Sequence, residues 1–250
     1  MRIHLILFTC LSGAALACST LISPVPTLEW DTSTHHRLIE YACYGGLVPT
    51  GYYDNNIPPV RIRGDGSVLW LVYEGAERRV MEGAFTQDEL QAVVTRMADA
   101  GFFGWKDSYE STEIIYDGSD CRLSVALASG EKTVWVRTAA EPPAGYAELL
   151  TWLRTGAGAE GHDFVPTHGW LRAIPVDATD TPPALVWPDE GIEGIRLSDA
   201  GEALPVSGEA LATAWRIVNS DRYAQVEQAG RRYTLVVQIE DVTDLWPTSP

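Results

Sequence analysis

The 250-residue chain is short of positive charge, and of lysine above all: only Lys106 and Lys132 occur, and 18 Lys and Arg stand against 34 Asp and Glu. The formal charge of −16 excludes a nucleic-acid binder, which needs clustered cations to displace counterions from phosphate. Charge-driven adsorption to anionic lipid is excluded on the same ground. Long apolar runs are scarce too. Past the N-terminal stretch, no window approaches the roughly twenty uncharged residues of a transmembrane helix, so none is expected in the mature chain. Histidine (five) and cysteine (four) are few, which leaves little material for metal centres or thiol chemistry. The G-x-S-x-G elbow and the H-E-x-x-H zinc motif are both missing. Against these gaps stands a composition 46% hydrophobic, ample for a folded core in a chain of this length.

The N-terminus carries the clearest signal. Met1 and Arg2 precede an almost wholly apolar or small stretch from Ile3 to Leu16, and Ala15-Leu16-Ala17 has the small-x-small form of a signal-peptidase site. Residues 1–17 therefore read as an export signal. Cys18 follows directly, where a bacterial lipoprotein carries its lipid, although Ala15 and Leu16 depart from the usual large-then-small order; cleavage to a soluble exported product is the alternative. Cys10 leaves with the signal. With Cys18 acylated, Cys43 and Cys121 remain as an even pair in an oxidising compartment, which predicts a Cys43–Cys121 disulfide. Two buried free thiols are the alternative. Residues 18–33, with Pro24 and Pro26 and no helical or strand period, read as a flexible tether.

From His36 the pattern is strand-like to Cys43. Val60–Arg63 and Ser67–Tyr73, joined by Gly64-Asp65-Gly66, have the form of a hairpin. Thr86-Gln87-Asp88-Glu89 fits a capping box, and Leu90, Val93, Val94 and Met97 follow on one helical face before Gly101. Strands are expected at Glu113–Tyr116, Cys121–Ala128 and Thr133–Arg137. A second helix places Tyr146, Leu149, Leu150 and Leu153 together. Gly156-Ala157-Gly158-Ala159 is the one candidate boundary, dividing residues 34–155 from a smaller unit at 162–250. There, weak strands at Gly169–Val176 and Ile192–Leu197 lead to a short helix capped by Ser207, then to a hairpin turning at Ala229-Gly230. The expected class is α+β, an antiparallel sheet with two or three short amphipathic helices, in one domain or two small subdomains.

Cys43, Ile62, Asp65-Gly66, the helix from Asp88 to Ala100, Gly101-Phe102-Phe103 and Tyr109 together resemble an uncharacterised family of secreted bacterial domains of unknown function. The resemblance runs from about residue 39 to 136. It departs at the long loop from Tyr44 to Pro59. It implies an exported envelope lipoprotein and brings no activity with it.

For chemistry, His162, Asp163 and His168 are the leading metal candidates, ahead of His35-His36, which lacks a third ligand in sequence; a solvated loop explains them better and no cofactor is expected. Asp117, Ser119 and Asp120 offer calcium oxygens, yet a turn between strands accounts for them; Asp54-Asn55-Asn56 has the same two readings. The 34 acids allow many carboxylate pairs, so glycoside hydrolysis has no specific signature here. The nine tryptophans are more informative. Trp70, Trp135, Trp152 and Trp215 fall in strand or helix patterns and read as core. Trp105, Trp170, Trp187 and Trp246 lie in loops or at element ends, and with Tyr52 and Tyr53 they are the candidates for a surface that binds an envelope protein or glycan. The leading reading is a non-enzymatic binding or structural module, exported and lipid-anchored at the cell envelope; the alternative is a secreted hydrolase whose acidic site assembles only in the fold.

Overall fold

The computed structural model describes residues 28–46, 53–75, 77–113, 115–177, 185–220 and 225–244. Strands β1 (Arg37–Gly45), β2 (Val60–Arg63), β3 (Ser67–Glu74), β4 (Glu77–Ala84), β5 (Ser108–Tyr109), β6 (Ser119–Leu127), β7 (Gly130–Val136) and β8 (Gly161–Asp163) form one sheet, ordered β5-β7-β6-β1-β2-β3-β4-β8. Strands β9 (His168–Val176), β10 (Leu185–Val186), β11 (Leu204–Ser207), β12 (Gln225–Gln228) and β13 (Arg231–Gln238) form a second, ordered β10-β12-β13-β9-β11. Helices are α1 (Gln87–Asp99), α2 (Tyr146–Leu153) and α3 (Gly208–Ser220). Pairing is antiparallel except for the two-residue contacts of β5 with β7 and β10 with β12. The fold is α+β.

Local chemistry explains the elements read from sequence. The Asp65 carboxylate accepts from the Ser67 amide at 2.9 Å and Gly66 takes φ 95°, closing the β2–β3 hairpin. At the start of α1, Thr86 Oγ1 accepts from the Glu89 amide and the Glu89 carboxylate accepts from the Thr86 amide at 2.7 Å, a complete capping box. Leu90, Val93, Val94 and Met97 then join Leu149, Leu150 and Leu153 of α2 in a core against Ile39, Ile62, Trp70 and Leu123 of the first sheet. A second core lies between α3 and the second sheet, and it takes in Leu69 and Leu71 of β3 and Val80 of β4. Strand β3 is thus apolar on both faces, which is why Val68 to Val72 reads as an unbroken hydrophobic run.

Four expectations are corrected. Glu113–Tyr116 is not a strand; the edge beside β7 is taken by β5 instead. Ile192–Leu197 contains only an isolated bridge between Ile192 and Ile195. At the N-terminus of α3 the oxygen that accepts from the Ala210 amide belongs to Glu193, at 3.2 Å, rather than to Ser207. Finally, Leu28 and Trp30 pack on the first core, Trp30 Nε1 donates to Gly64 O and Glu29 O accepts from the Ala128 amide, so the tether read as 18–33 ends before Leu28. Cys18 and the signal lie outside the described residues.

The Gly/Ala-rich segment has a packing role. A Cβ on Gly161 would lie 2.0 Å from the Trp70 ring, and one on Gly156 3.0 Å from it, so these glycines form a slot for the indole. Cys43 and Cys121 face each other across β1 and β6 and are joined by a disulfide. Because 78 residues separate them, the bond stabilises by on the order of 4 kcal/mol in the chain-entropy model.

Opposite the first core, the sheet carries a buried ion network. Arg61 Nε donates to Glu40 at 2.7 Å, Nη2 to Asp244 at 2.6 Å, and Nη1 to the carbonyls of Asp241 and Val242. Arg122 Nη2 reaches the other Glu40 oxygen at 2.6 Å. The network fastens residues 241–244, from the chain's far end, onto β1 and β2.

Arg61→Met removes the cation between two buried carboxylates and is expected to cost about 3–5 kcal/mol in urea unfolding; an unchanged midpoint would remove the network from the stability account. Gly161→Ala is expected to destabilise by about 1–3 kcal/mol through overpacking, whereas Gly104→Ala, where an added Cβ meets nothing within 4 Å, stays near wild type.

Candidate functional site

Strand alternation sets out the candidate surface. With Ile39, Tyr41, Leu123 and Val134 turned into the first core, Glu40, Tyr44, Arg122 and Trp135 share the opposite face. Register pairs Arg122 with Trp135 directly, and the Tyr44 and Trp135 ring centroids are 6.4 Å apart. Each ring is covered by a guanidinium: Arg122 lies 5.5 Å from the Tyr44 centroid and Arg137 5.5 Å from that of Trp135. Arg137 is held by Asp120 at 2.5 Å and faces Glu110.

The same logic operates on β9. Leu171 and Ala173 point into the second core, so Trp170 and Arg172 point away from it, and Trp170 is 48% exposed. Gln238 sits opposite Trp170 in register and its Nε2 donates to Asp54 O at 2.9 Å; Arg172 Nη2 donates to the Asp54 carboxylate at 3.0 Å. The 3-10 turn Tyr53–Asn55 therefore belongs to this surface. It is held there by Asn55, whose amide donates to Leu235 O and accepts from the Val237 amide along the edge of β13 that β12 leaves open. Tyr53, 40% exposed, donates its hydroxyl to Gly46 O, two residues beyond Tyr44. Tyr53 and Asp54 thus link the Tyr44–Trp135 face to the Trp170–Arg172 face.

Of the aromatic candidates, Tyr53 and Trp170 are the exposed ones, Tyr53 next to Asp54 in sequence and Trp170 on the strand whose Arg172 pairs with Asp54. Trp187 is not on the surface: it is fully buried in the second core, and its Nε1 donates to Ile195 O at 3.0 Å. Trp105 is half-buried on the first core between Phe102 and Tyr146. Both occupy irregular chain, but that chain packs inward. Tyr52 and Trp246 lie outside the described residues. Sequence reasoning misses Tyr44 and Trp135 as surface groups, Tyr44 because it falls at the start of the loop after the first strand and Trp135 because its strand position reads as core; the alternation with Cys43 and Val134 is the signal that they face outward.

The metal candidates do not converge. His162 and Asp163 are neighbours on β8, so they point to opposite sides: His162 to Glu82 at 3.5 Å, Asp163 to Arg79 at 2.7 Å. His168 begins a strand of the other sheet and meets Thr167 Oγ1 at 3.0 Å. Among the described residues no three His, Cys, Asp or Glu come together as a metal site. A Ser-x-x-Lys spacing at Ser129 and Lys132 also escaped the reading of the sequence. It is a hairpin turn between β6 and β7, and the Lys132 ammonium is engaged by Trp105 O and Asp107 rather than by the serine.

A polar cleft of about 380 Å³ lies between β3–β4 and residues 239–242, with His35, Glu82, His168 and Asp241 in its walls. Two of its acids are engaged by neighbours, Asp241 with His35 at 3.3 Å and Glu82 with His162 at 3.5 Å; Glu240 also lines it. A second, of about 560 Å³, opens between β4 and α3 above Val80, Phe164 and Trp215. Neither aligns a nucleophile with a base.

Comparison with family models, with curated proteins and with solved structures finds no match.

Electrostatics beside the aromatic face give a pH signature. Burial pushes the Asp244 carboxyl above the usual range, with Arg61 opposing and Glu40 adding to the rise; burial likewise raises Tyr44, helped by the charge of Asp244. A carboxyl whose pKa rises on folding favours the fold fully when protonated, below the unfolded value near 4, and that contribution is lost as pH rises through the folded value. Asp244→Asn is therefore expected to match wild type in Tm at about pH 3 and to be at least as stable at pH 7. A deficit for the variant that grows towards pH 7 contradicts this assignment.

Proposed function

We propose that this chain is an exported envelope protein of a bacterium, held at the membrane through a lipid on Cys18, and that it works as a non-catalytic binding module. The observation that carries the binding reading is the Tyr53, Asp54, Trp170 and Arg172 cluster. Two rings stand exposed beside an ion pair, on elements fixed by sheet register and by the Asn55 clamp. A rigid, exposed ring at low conformational cost is what a recognition surface requires. The export reading rests on the signal at residues 1–17, on the placing of Cys18, and on the resemblance of residues 39–136 to secreted bacterial domains. The Cys43–Cys121 disulfide supports it, since such bonds persist in oxidising compartments. The aromatic cluster outranks the polar cleft because Trp170 is open to solvent beside a fixed ion pair, whereas the cleft aligns no nucleophile with a base.

Two measurements test the proposal. Intact-mass analysis of the native protein is expected to find a chain beginning at Cys18 with a diacylglycerol attached; an unmodified chain beginning at Met1 overturns export. A photo-crosslinking residue in place of Trp170 is expected to give adducts with envelope material. The same residue in place of Tyr116, which is 90% exposed on a different loop, is expected to give none. Equal adduct yields from the two positions, or none from either, argue against a working surface at Trp170.

A further inference from the structure

We infer that the aromatic face takes a neutral oligosaccharide, an inference that rests on the binding-module reading. Tyr44 and Trp135 are covered by Arg122 and Arg137, which leaves Trp170, 48% exposed, as the open ring of the face. In register Trp170 has Gln238 on one side and Pro205 on the other, with Arg172 two residues along the same face. One ring beside one proline falls short of the contiguous apolar patch that a protein partner buries at the centre of an interface.

Each guanidinium on the face retains donors. Arg172 engages only Nη2, on Asp54, and Arg122 only Nη2, on Glu40 and Tyr44 Oη; their side chains are 32% and 27% exposed. No described residue accepts a hydrogen bond from the Nη1 of either. Acceptors stand next to these donors: the Asp54 carboxylate on one side, and Asp120 and Glu110 on the other. A ligand matched to this face has an apolar side to lay on a ring and groups at its rim that both donate and accept. A pyranose has both, in its C–H face and its ring of hydroxyls.

The charge pattern then selects among sugars. Arg172 is paired with Asp54, Arg122 with Glu40, and Arg137 with Asp120 and Glu110, so the face presents no surplus of positive charge. The chain as a whole stands at −16. An anionic polymer meets repulsion without compensation, and a neutral one does not.

The test uses the exported, disulfide-bonded protein, with N-acetylglucosamine hexamer and a neutral glucose hexamer as probes and a galacturonate hexamer as the anionic control. Calorimetry and tryptophan fluorescence are expected to show saturable binding to at least one neutral hexamer and weaker or no binding to the anionic one. Trp170→Ala is expected to weaken binding about tenfold or more with Tm unchanged. Trp170→Phe keeps a ring and is expected to recover most of the affinity, while Arg172→Gln weakens it without touching the ring. Three results overturn the inference: no binding to either neutral hexamer, tighter binding to the anionic hexamer, or equal affinity in Trp170→Ala. If the hexamers fail while crosslinking at position 170 yields a protein adduct, the sugar assignment falls and the binding module stands. If both fail, the binding module falls with it.

Discussion

From Val68 to Leu71, strand β3 has no solvent face, and the rest of the molecule is arranged around that fact. Val68, Trp70 and Val72 pack towards α1 and α2, while Leu69 and Leu71 pack towards α3 and the second sheet. A strand buried on both sides cannot be left half-covered without exposing a row of large apolar side chains. The two cores therefore fold against one shared wall. The Trp70 ring tightens this arrangement. Its slot exists only because Gly83, Gly156 and Gly161 lack a Cβ, so the chain between α2 and β8 must run directly over the indole.

A second constraint comes from the buried ion network. Arg61, with 2% of its side chain exposed, is held by acids from two distant parts of the sequence and by the carbonyls of residues 241 and 242. A buried ion pair adds little net stability over an apolar substitute, but breaking one partner is costly. Its consequence is positional. Residues 241–244 are tied beside Tyr44, and Asp244 also accepts from Asn56 Nδ2 at 3.1 Å, which fixes the chain immediately after the Tyr53–Asn55 turn. The network thus sets the distance between the face carrying Tyr44 and Trp135 and the one carrying Trp170 and Arg172.

The legible parts of the sequence were those whose signal is local. The α1 capping box, the Asp65-Gly66 hairpin, the apolar face of α2 and the Ala229-Gly230 turn all lie within a dozen residues of their own cause. Strand β4 carried no such signal. Glu77-Arg78-Arg79-Val80-Met81-Glu82 is too charged for a strand pattern, because Arg78 is buried against Asn219 of α3 and Arg79 is paired with Asp163 of β8. Both partners lie far along the chain. For the candidate site the limit was similar. Tyr53 and Trp170 were readable as aromatics in irregular or terminal positions, but their union depends on Asp54, Arg172 and Gln238 meeting across more than a hundred residues. Trp187 looked equivalent in sequence and differs only because its loop turns inward over β12, where its amide donates to Glu227 O.

Charge and tether impose a last geometric condition on the proposed anchoring. From Cys18 to Leu28, where the chain enters the first core, ten residues reach at most about 35 Å. A domain carrying most of a −16 charge is repelled by anionic headgroups over about 8 Å at physiological ionic strength. With a lipid on Cys18 as proposed, that reach would exceed the screening range several-fold and let the domain stand clear of the lipid. The described chain enters beside Gly64 and the start of α1, on the edge of the first core, where Trp30 donates to Gly64 O and Gln87 Nε2 does the same. Trp170 and Arg172 lie on the second sheet, on the side away from α3. An anchor that pulls at the edge of the first core therefore leaves the Trp170 face, on the other sheet, open to whatever material fills the space beside the membrane.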